Sequence, residues 1–146
     1  MESTTLVVGS ASAARVEIRP LARSHAGATD YWDGNWIDCE VSASAGGFRA
    51  QYVACLRAEE FVGFRRCLKE LYRDLEGLAQ FKSMEEWLRI EVSGDGRGHF
   101  KGPCHLRDRA GGGNVLAFEI EFDQTEIPAM MDQLALIERA FPVVGK

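Results

Sequence analysis

A strand that runs directly into a helix near the end of the chain constrains the fold more than any other feature of the sequence. In the first part of residues 114–141 apolar side chains alternate with polar ones, and in the second part they recur every three or four residues. The alternating residues are Leu116, Phe118, Ile120 and Phe122, and the helical ones are Ile127, Met130, Leu134, Ile137 and Phe141. Period two is typical of a strand with one buried face, and the longer spacing is typical of a helix with one apolar stripe. The segment therefore predicts a strand followed by an amphipathic helix.

The same pattern occurs 66 residues earlier in the chain. The positions that correspond to the nine apolar residues are also apolar: Ala50, Tyr52, Ala54, Leu56, Phe61, Phe64, Leu68, Leu71 and Leu75. This agreement predicts an internal duplication, with residues 36–77 as one copy and residues 87–141 as the other. A chance match between two amphipathic patterns is the alternative explanation.

Four further stretches alternate in the same way and complete the predicted order of elements. Together with the two already described, the predicted strands are 15–21, 36–43, 48–57, 87–93, 99–107 and 114–123. The first helix is predicted over 58–76, ended by Gly77. The order is βββα-βββα, and strands joined by hairpins pair antiparallel. The sequence thus predicts one α+β domain over residues 1–146, with residues 1–13 loosely held. Its core would be a twisted antiparallel sheet of about six strands with both helices on one face.

The charge of the chain limits its partners. The formal net charge of -5 argues against a nucleic-acid-binding protein, which needs a basic surface to neutralise phosphates, and favours a basic protein partner. No apolar run approaches the length that spans a bilayer, and the first residues lack the basic and apolar regions of a signal peptide. We therefore expect no membrane association and a cytoplasmic location.

The motifs that could carry chemistry favour structural roles. The cysteines Cys39, Cys55, Cys67 and Cys104 show no paired spacing, and they fall in predicted strands and a helix, which is typical of small buried residues. The glycines of 94–98 lie between two strands, where a hairpin turn is expected rather than a phosphate-binding loop. His99 and His105 are predicted to face away from Cys104, so they do not form a metal site with it. We expect no catalytic residue, no cofactor and no metal, and hence no enzyme.

The sheet face that the helices leave uncovered is the predicted functional surface. It carries charges of both signs, and a solvated sheet surface would look the same. A docking surface is favoured by Trp36, because tryptophan is enriched in the hot spots of protein interfaces. The candidate partner-binding residues are Trp36, Asp38, Glu40, Arg89, Glu91, Glu119 and Glu121.

Several segments together resemble one protein family. They are the stretch 31–37 (YWDGNWI), Phe48, the residues Leu71, Tyr72, Leu75 and Gly77, and the stretch 122–128 (FDQTEIP). In their order and spacing they resemble the small bacterial WapI-type immunity proteins over about residues 15–143. The resemblance implies a cytoplasmic protein that neutralises a contact-dependent toxin, typically a nuclease, by binding it. It brings no family binding residues to this sequence.

Two hypotheses of different classes follow. The first is an immunity-type binding protein whose partner is a cognate toxin, a nuclease with a basic surface. The alternative is a small-molecule-binding or enzymatic α+β domain with a pocket between the sheet and the helices. A homodimer formed through an exposed edge or face stays open beside both.

Overall fold

The structure is a computed structural model that describes residues 4–10 and 12–145. Over these residues the chain forms eight β-strands, three α-helices and one 3-10 turn. In chain order they are β1 (Leu6–Gly9), β2 (Arg15–Arg23), α1 (Tyr31–Gly34), β3 (Trp36–Ala45), β4 (Phe48–Arg57), α2 (Ala58–Asp74), β5 (Glu76–Lys82), β6 (Leu88–Asp95), β7 (His99–Arg109), β8 (Gly112–Asp123), the 3-10 turn (Gln124–Glu126) and α3 (Ile127–Ala140). In the described part of the chain, no helix has the length and apolar character needed to cross a membrane.

The strands form two four-stranded antiparallel sheets rather than one sheet. The first sheet has the order β1-β2-β3-β4, the second has the order β5-β6-β7-β8, and every neighbouring pair is antiparallel. The predicted α+β class and the antiparallel pairing are confirmed. The expectation of one sheet with about six strands is wrong. Each of the two predicted βββα units, hereafter the two halves of the chain, contains one strand more than predicted and forms its own sheet.

The two missed strands are β1 and β5, the first strand of each sheet. Residues 1–13 were expected to be loosely held, yet Leu6 and Val8 are fully buried and pair with β2. The expectation for residues 1–3 and 11 lies outside the described part of the chain. Helix α2 ends earlier than predicted, because Leu75, two residues before Gly77, already adopts the left-handed conformation, with φ 61°. Its N–H is donated to the carbonyl of Leu71. The chain is then free to enter β5 at once.

Each long helix follows the last strand of one sheet and packs against the first strand of the other sheet. Helix α2 follows β4 and packs on β5, where Phe61 and Phe64 make edge-to-face contacts with Phe81. Helix α3 follows β8 and packs on β1, where the Gln133 side chain accepts the N–H of Val7 at 2.9 Å. The two helices also contact each other. This exchange replaces the expected arrangement of both helices on one face of one sheet.

The two halves bury corresponding residues. In α2 the buried stripe contains Phe61, Phe64, Leu68 and Leu71, and the residues 66 positions later form the buried stripe of α3. The last strands correspond as well, because residues 48–53 and 114–119 show the same sequence of exposed and half-buried positions. Each half thus has four strands followed by a long helix, and the first half also contains the short α1 between β2 and β3. The internal duplication of the sequence itself stays a prediction.

A buried arginine organises the junction between the first sheet and α2. The Arg57 side chain is 0% exposed, and its guanidinium donates to the carbonyl oxygens of Tyr31 (2.8 Å) and Trp32 (2.9 Å) and to the carboxylate of Glu59. The ring of Trp36 lies 4.7 Å from the guanidinium carbon. A buried charge is tolerated only when its donors are satisfied, so this arginine holds α1, β3 and the start of α2 in one arrangement.

Asn35 connects the same region to the end of the chain. Its side-chain amide donates to the carbonyls of Tyr31 (2.8 Å) and Val144 (3.0 Å) and accepts the N–H of Val144 at 2.9 Å. A Cβ atom on Gly34 would lie 2.7 Å from a methyl carbon of Val144, so a larger residue there would force one of these segments to shift. The Gly-Asn-Trp segment is therefore a structural joint between the α1 region and residues 142–144.

The core predicts the effect of two phenylalanine substitutions. Phe64 is 0% exposed and packs on Phe81, whereas Phe48 is 68% exposed. We expect Phe64→Ala to lower the free energy of unfolding by about 3 to 5 kcal/mol, because it removes buried area and leaves a cavity. Phe48→Ala should change it by no more than about 0.5 kcal/mol. Urea unfolding of both variants measures the difference, and equal losses would contradict this description of the core.

Candidate functional site

The structure divides the seven candidate partner-binding residues between the two sheets. Trp36, Asp38 and Glu40 lie on β3 of the first sheet. The other four lie on the second sheet: Arg89 and Glu91 on β6, and Glu119 and Glu121 on β8. They were expected to share one sheet, so the continuous surface that the sequence suggested is replaced by two separate sheet surfaces.

Trp36 is held in an internal contact. Its ring is half-buried and stacks on the buried Arg57 guanidinium, which also lies 5.1 Å from the Tyr31 ring and 5.3 Å from the Trp32 ring. A cation held between aromatic faces stabilises both partners. Trp32 is 63% exposed, so within this aromatic group it offers the larger free apolar surface.

The carboxylates of β3 are engaged within the first sheet. Glu40 accepts from Arg19 at 3.1 Å and from Gln51 at 3.4 Å. The hydrogen bond from Arg19 is the main reason that the pKa of Glu40 lies below its ordinary value. Asp38 accepts the hydroxyl hydrogen of Ser24 at 2.7 Å. Binding a partner through these groups would require their present hydrogen bonds to be shared or exchanged.

Arg89 and Glu91 are partly satisfied by neighbours on the second sheet. They form an ion pair with an N–O distance of 3.6 Å, and the Gln80 amide donates to Glu91 at 3.0 Å. One Arg89 nitrogen lies 3.4 Å from the ring of His105. This part of the surface is charged in both signs and largely compensated.

Glu119 and Glu121 are the least compensated of the seven residues. Both are exposed on β8, and among the described residues no cationic side chain lies within 4 Å of either carboxylate. Across the strand pair, Glu119 faces Pro103 and Glu121 faces Lys101. These two carboxylates are therefore available to a cationic partner.

An acidic cleft extends from Glu121 around the ends of β6, β7 and β8. Its volume is about 690 Å³, and the turn between β1 and β2 forms its opposite wall. Its charged or titratable lining residues are Asp95, His99, Lys101, Glu121, Asp123 and Glu126. Carboxylates outnumber the cationic groups, so the cleft favours positively charged side chains.

The carboxyl groups of this cleft have different surroundings. Backbone N–H groups of Arg97 and His99 donate to Asp95 and hold its pKa below the ordinary value. Burial, followed by the charge of Asp123, raises the pKa of Glu126. The sequence alone does not indicate this cleft, because its charged lining residues lie between positions 95 and 126 and come together only through the β6–β7–β8 pairing.

The interior between the sheets and the helices is formed by apolar side chains. Among the described residues the buried polar or charged ones are Asn35, Arg57 and Ser83, and each makes internal hydrogen bonds. The buried thiols of Cys39 and Cys104 have raised pKa values because of desolvation, which disfavours the reactive thiolate. In the part of the chain that the structure describes, no group of three or more His, Cys, Asp or Glu residues is placed to hold a metal ion.

Comparisons with known proteins agree with this architecture. The model of the immunity protein WapI-like family matches residues 7–142. No curated protein matches the sequence. Among solved structures, the fold is similar to that of the plant transcriptional regulator PBF-2, with a TM-score of 0.51 and 13% sequence identity over 99% of this chain and 83% of that chain. At this identity the likeness concerns the fold alone.

Substitution of the two tryptophans around Arg57 should have unequal effects on the stability of the protein. Trp36→Ala should lower the free energy of unfolding by roughly 2 kcal/mol, because it removes a half-buried ring and its contact with a buried cation. Trp32→Ala should cost less than about 1 kcal/mol, because its ring is mostly exposed. Chemical denaturation of the two variants makes the comparison, and a larger loss for Trp32→Ala would show that the internal role of Trp36 is misassigned.

Proposed function

This chain belongs to the WapI-like family of immunity proteins, and on that premise we propose that it neutralises a cognate bacterial toxin, a nuclease, by forming a protein–protein complex. The observation that carries the proposal is the pair of exposed carboxylates Glu119 and Glu121, which have no ion pair within 4 Å among the described residues. They adjoin an acidic cleft on a chain of net charge -5. We propose that the chain acts in the cytoplasm and by stoichiometric binding, without catalysis.

Electrostatic complementarity supports a nuclease as the partner. A nuclease carries a basic surface where it meets the phosphates of its substrate. An acidic inhibitor is attracted to that surface and associates faster than a neutral one. Once bound, it would occupy the positions that phosphates need, and this would stop the toxin without any chemical step.

The distribution of internal contacts supports a centre for the interface. Glu119 and Glu121 have no ion pair to break among the described residues, whereas Glu40 and Glu91 already accept hydrogen bonds from neighbouring side chains. Removing a carboxylate from internal partners costs free energy that an uncompensated one does not require. We therefore place Glu119 and Glu121 at the centre of the proposed interface, with Arg89 and Glu91 farther out on β6, beyond β7. Trp36, Asp38 and Glu40 would contribute only if the partner also reaches the first sheet.

Charge reversal on β8 tests the function. Co-expression of the wild-type chain should rescue the growth of cells that produce the toxin domain encoded beside it. The double variant Glu119→Lys with Glu121→Lys should raise the Kd of the purified complex by at least about 100-fold, because it replaces attraction by repulsion at the centre of the interface. Titration calorimetry at fixed ionic strength measures the change.

A matched control variant distinguishes the effect of charge at Glu119 and Glu121 from the effect of the net charge of the chain. Glu70→Lys with Asp132→Lys makes the same change in net charge at exposed positions of α2 and α3, and it should leave the Kd within about threefold of wild type, since distant charges are screened at physiological salt. Equal weakening by both double variants would remove the β8 surface from the proposal. Failure of the neighbouring toxin to bind the wild-type chain would remove the function.

A further inference from the structure

The last strand of each sheet has a free edge. β4 and β8 each pair with one strand only, along the side that faces β3 or β7. Residues 48–53 of β4 and 114–119 of β8 are exposed or half-buried at every position. By contrast, β1 and β5, the first strands, are covered by α3 and α2. Unpaired edges of this length can accept an additional strand.

The alternation of backbone hydrogen bonds shows which amides of β8 point to the free edge. The N–H of Arg107 donates to the carbonyl of Trp87, on the β6 side, at 2.9 Å. Backbone groups alternate in direction along a strand, so Leu106 faces β8 and pairs with Leu116. The N–H of Gln124, an even-numbered residue like Leu116, donates to the carbonyl of Gly98 at the other end of the pair. The amides of Val115, Ala117 and Glu119 therefore point away from β7.

This edge lacks the usual protection. Natural edge strands are commonly shielded by lysine, proline or a bulge. Residues 115–119 of β8 (VLAFE) contain neither lysine nor proline, and they follow the register shift in the β7–β8 pair. Val115 is 49% exposed, although valine favours burial in a sheet.

An apolar groove lies next to this edge. A groove of about 290 Å³ separates the exposed part of β4 from the exposed part of β8. Ala50, Tyr52, Leu106 and Leu116 supply its apolar lining, and Asn114 and Val115 form part of its β8 side. A strand added to β8 would cover this apolar surface with its own side chains on the same face.

We propose that the β8 edge binds an extended segment of the toxin as an additional antiparallel or parallel strand. Side chains of an added strand alternate between the two faces of the sheet. Those on the outer face would lie beside Glu119 and Glu121 and would be lysine or arginine. Those between them would be apolar and would cover Leu116 and Phe118. This inference rests on the proposed function for the identity of the partner.

Charge favours a basic toxin segment over a second copy of the chain as the occupant, and it favours β8 over β4 as the binding edge. Antiparallel pairing of β8 with β8 of a second copy would bring four carboxylates onto one small face, which is unfavourable. At the positions of β4 that correspond to Val115, Ala117 and Glu119, the chain has Arg49, Gln51 and Val53. A basic strand is therefore attracted to β8 and not to β4.

Proline substitution at the free edge tests the proposal on the full-length chain. Ala117→Pro removes an N–H that points to the free edge and leaves the bonds to β7 in place. Gln51→Pro makes the corresponding change on β4, and Ala117→Val alters the same side chain while keeping the N–H. Val115→Pro serves as a second edge variant if Ala117→Pro does not fold. Circular dichroism and urea unfolding identify the variants that keep the native fold.

The first probe is a synthetic peptide and does not depend on the toxin. It has eight residues in which valine and lysine alternate, and a control peptide of the same composition has four valines followed by four lysines. Fluorescence anisotropy measures binding of the alternating peptide to each variant. We expect the wild type, Gln51→Pro and Ala117→Val to bind it at least about tenfold more tightly than Ala117→Pro does. A lost hydrogen bond and a steric clash together correspond to about that factor. The control peptide should bind at least about tenfold more weakly than the alternating one.

The outcomes separate this inference from the proposed function. Equal binding of the alternating peptide to wild type and Ala117→Pro, or no binding to either, would overturn strand addition while rescue by the wild-type chain could still support neutralisation. Full toxin affinity in Ala117→Pro would overturn it as well. Peptide binding at β8 without any rescue would contradict the toxin-neutralising function instead. A wild-type dimer in analytical sedimentation that Ala117→Pro converts to monomer would identify a second copy as the occupant and overturn the proposed one.

Discussion

The apolar stripes of α2 and α3 must be removed from water, and the way in which this is achieved determines which surfaces remain free. Each helix follows the last strand of one sheet and packs on the first strand of the other. The first strands β1 and β5 are thereby covered, and the two sheets are joined through their helices. The same arrangement leaves the last strands β4 and β8 with open edges. The candidate binding surface is thus a consequence of how the core is closed.

Much of this architecture could be predicted from local patterns in the sequence. Alternation around Phe118 and Ile120 and the helical spacing of Phe61, Phe64 and Leu68 indicate elements whose burial depends on near neighbours, and the α+β class with antiparallel pairing follows from their order. The extra strands were missed because their signals are short. β1 has four residues, and β5 begins one residue before Gly77, at a place where glycine commonly ends a helix.

The candidate site was harder to predict than the fold, because its properties depend on long-range strand pairing that a single sequence does not reveal. Glu119 and Glu121 were identified by their outward position in an alternating strand. Their surroundings depend on the observed register, in which Glu119 faces Pro103 and Glu121 faces Lys101. Trp36 was expected to be a binding residue, and the sequence offered no sign that a buried Arg57, 21 residues later, would stack on its ring. A single buried arginine can thus change the role of a tryptophan that looks exposed by strand parity.

The two halves have the same exposure along their last strands but carry different chemistry there. Val53 on β4 corresponds to Glu119 on β8, and Cys55 corresponds to Glu121. A shared backbone arrangement therefore presents an edge with one cation, Arg49, on the first sheet and an acidic edge on the second. This difference is what allows one edge to select a basic partner, since backbone hydrogen bonds alone would not distinguish them.

Amide hydrogen exchange, measured residue by residue for the free chain and for its complex with the neighbouring toxin, tests the role of β8 most directly. If β8 receives a strand of the toxin, exchange at Val115, Ala117 and Glu119 should slow by at least about tenfold in the complex, while Arg49, Gln51 and Val53 on β4 should be unchanged. Protection confined to β3 or β4, with the β8 amides exchanging as in the free chain, would contradict it.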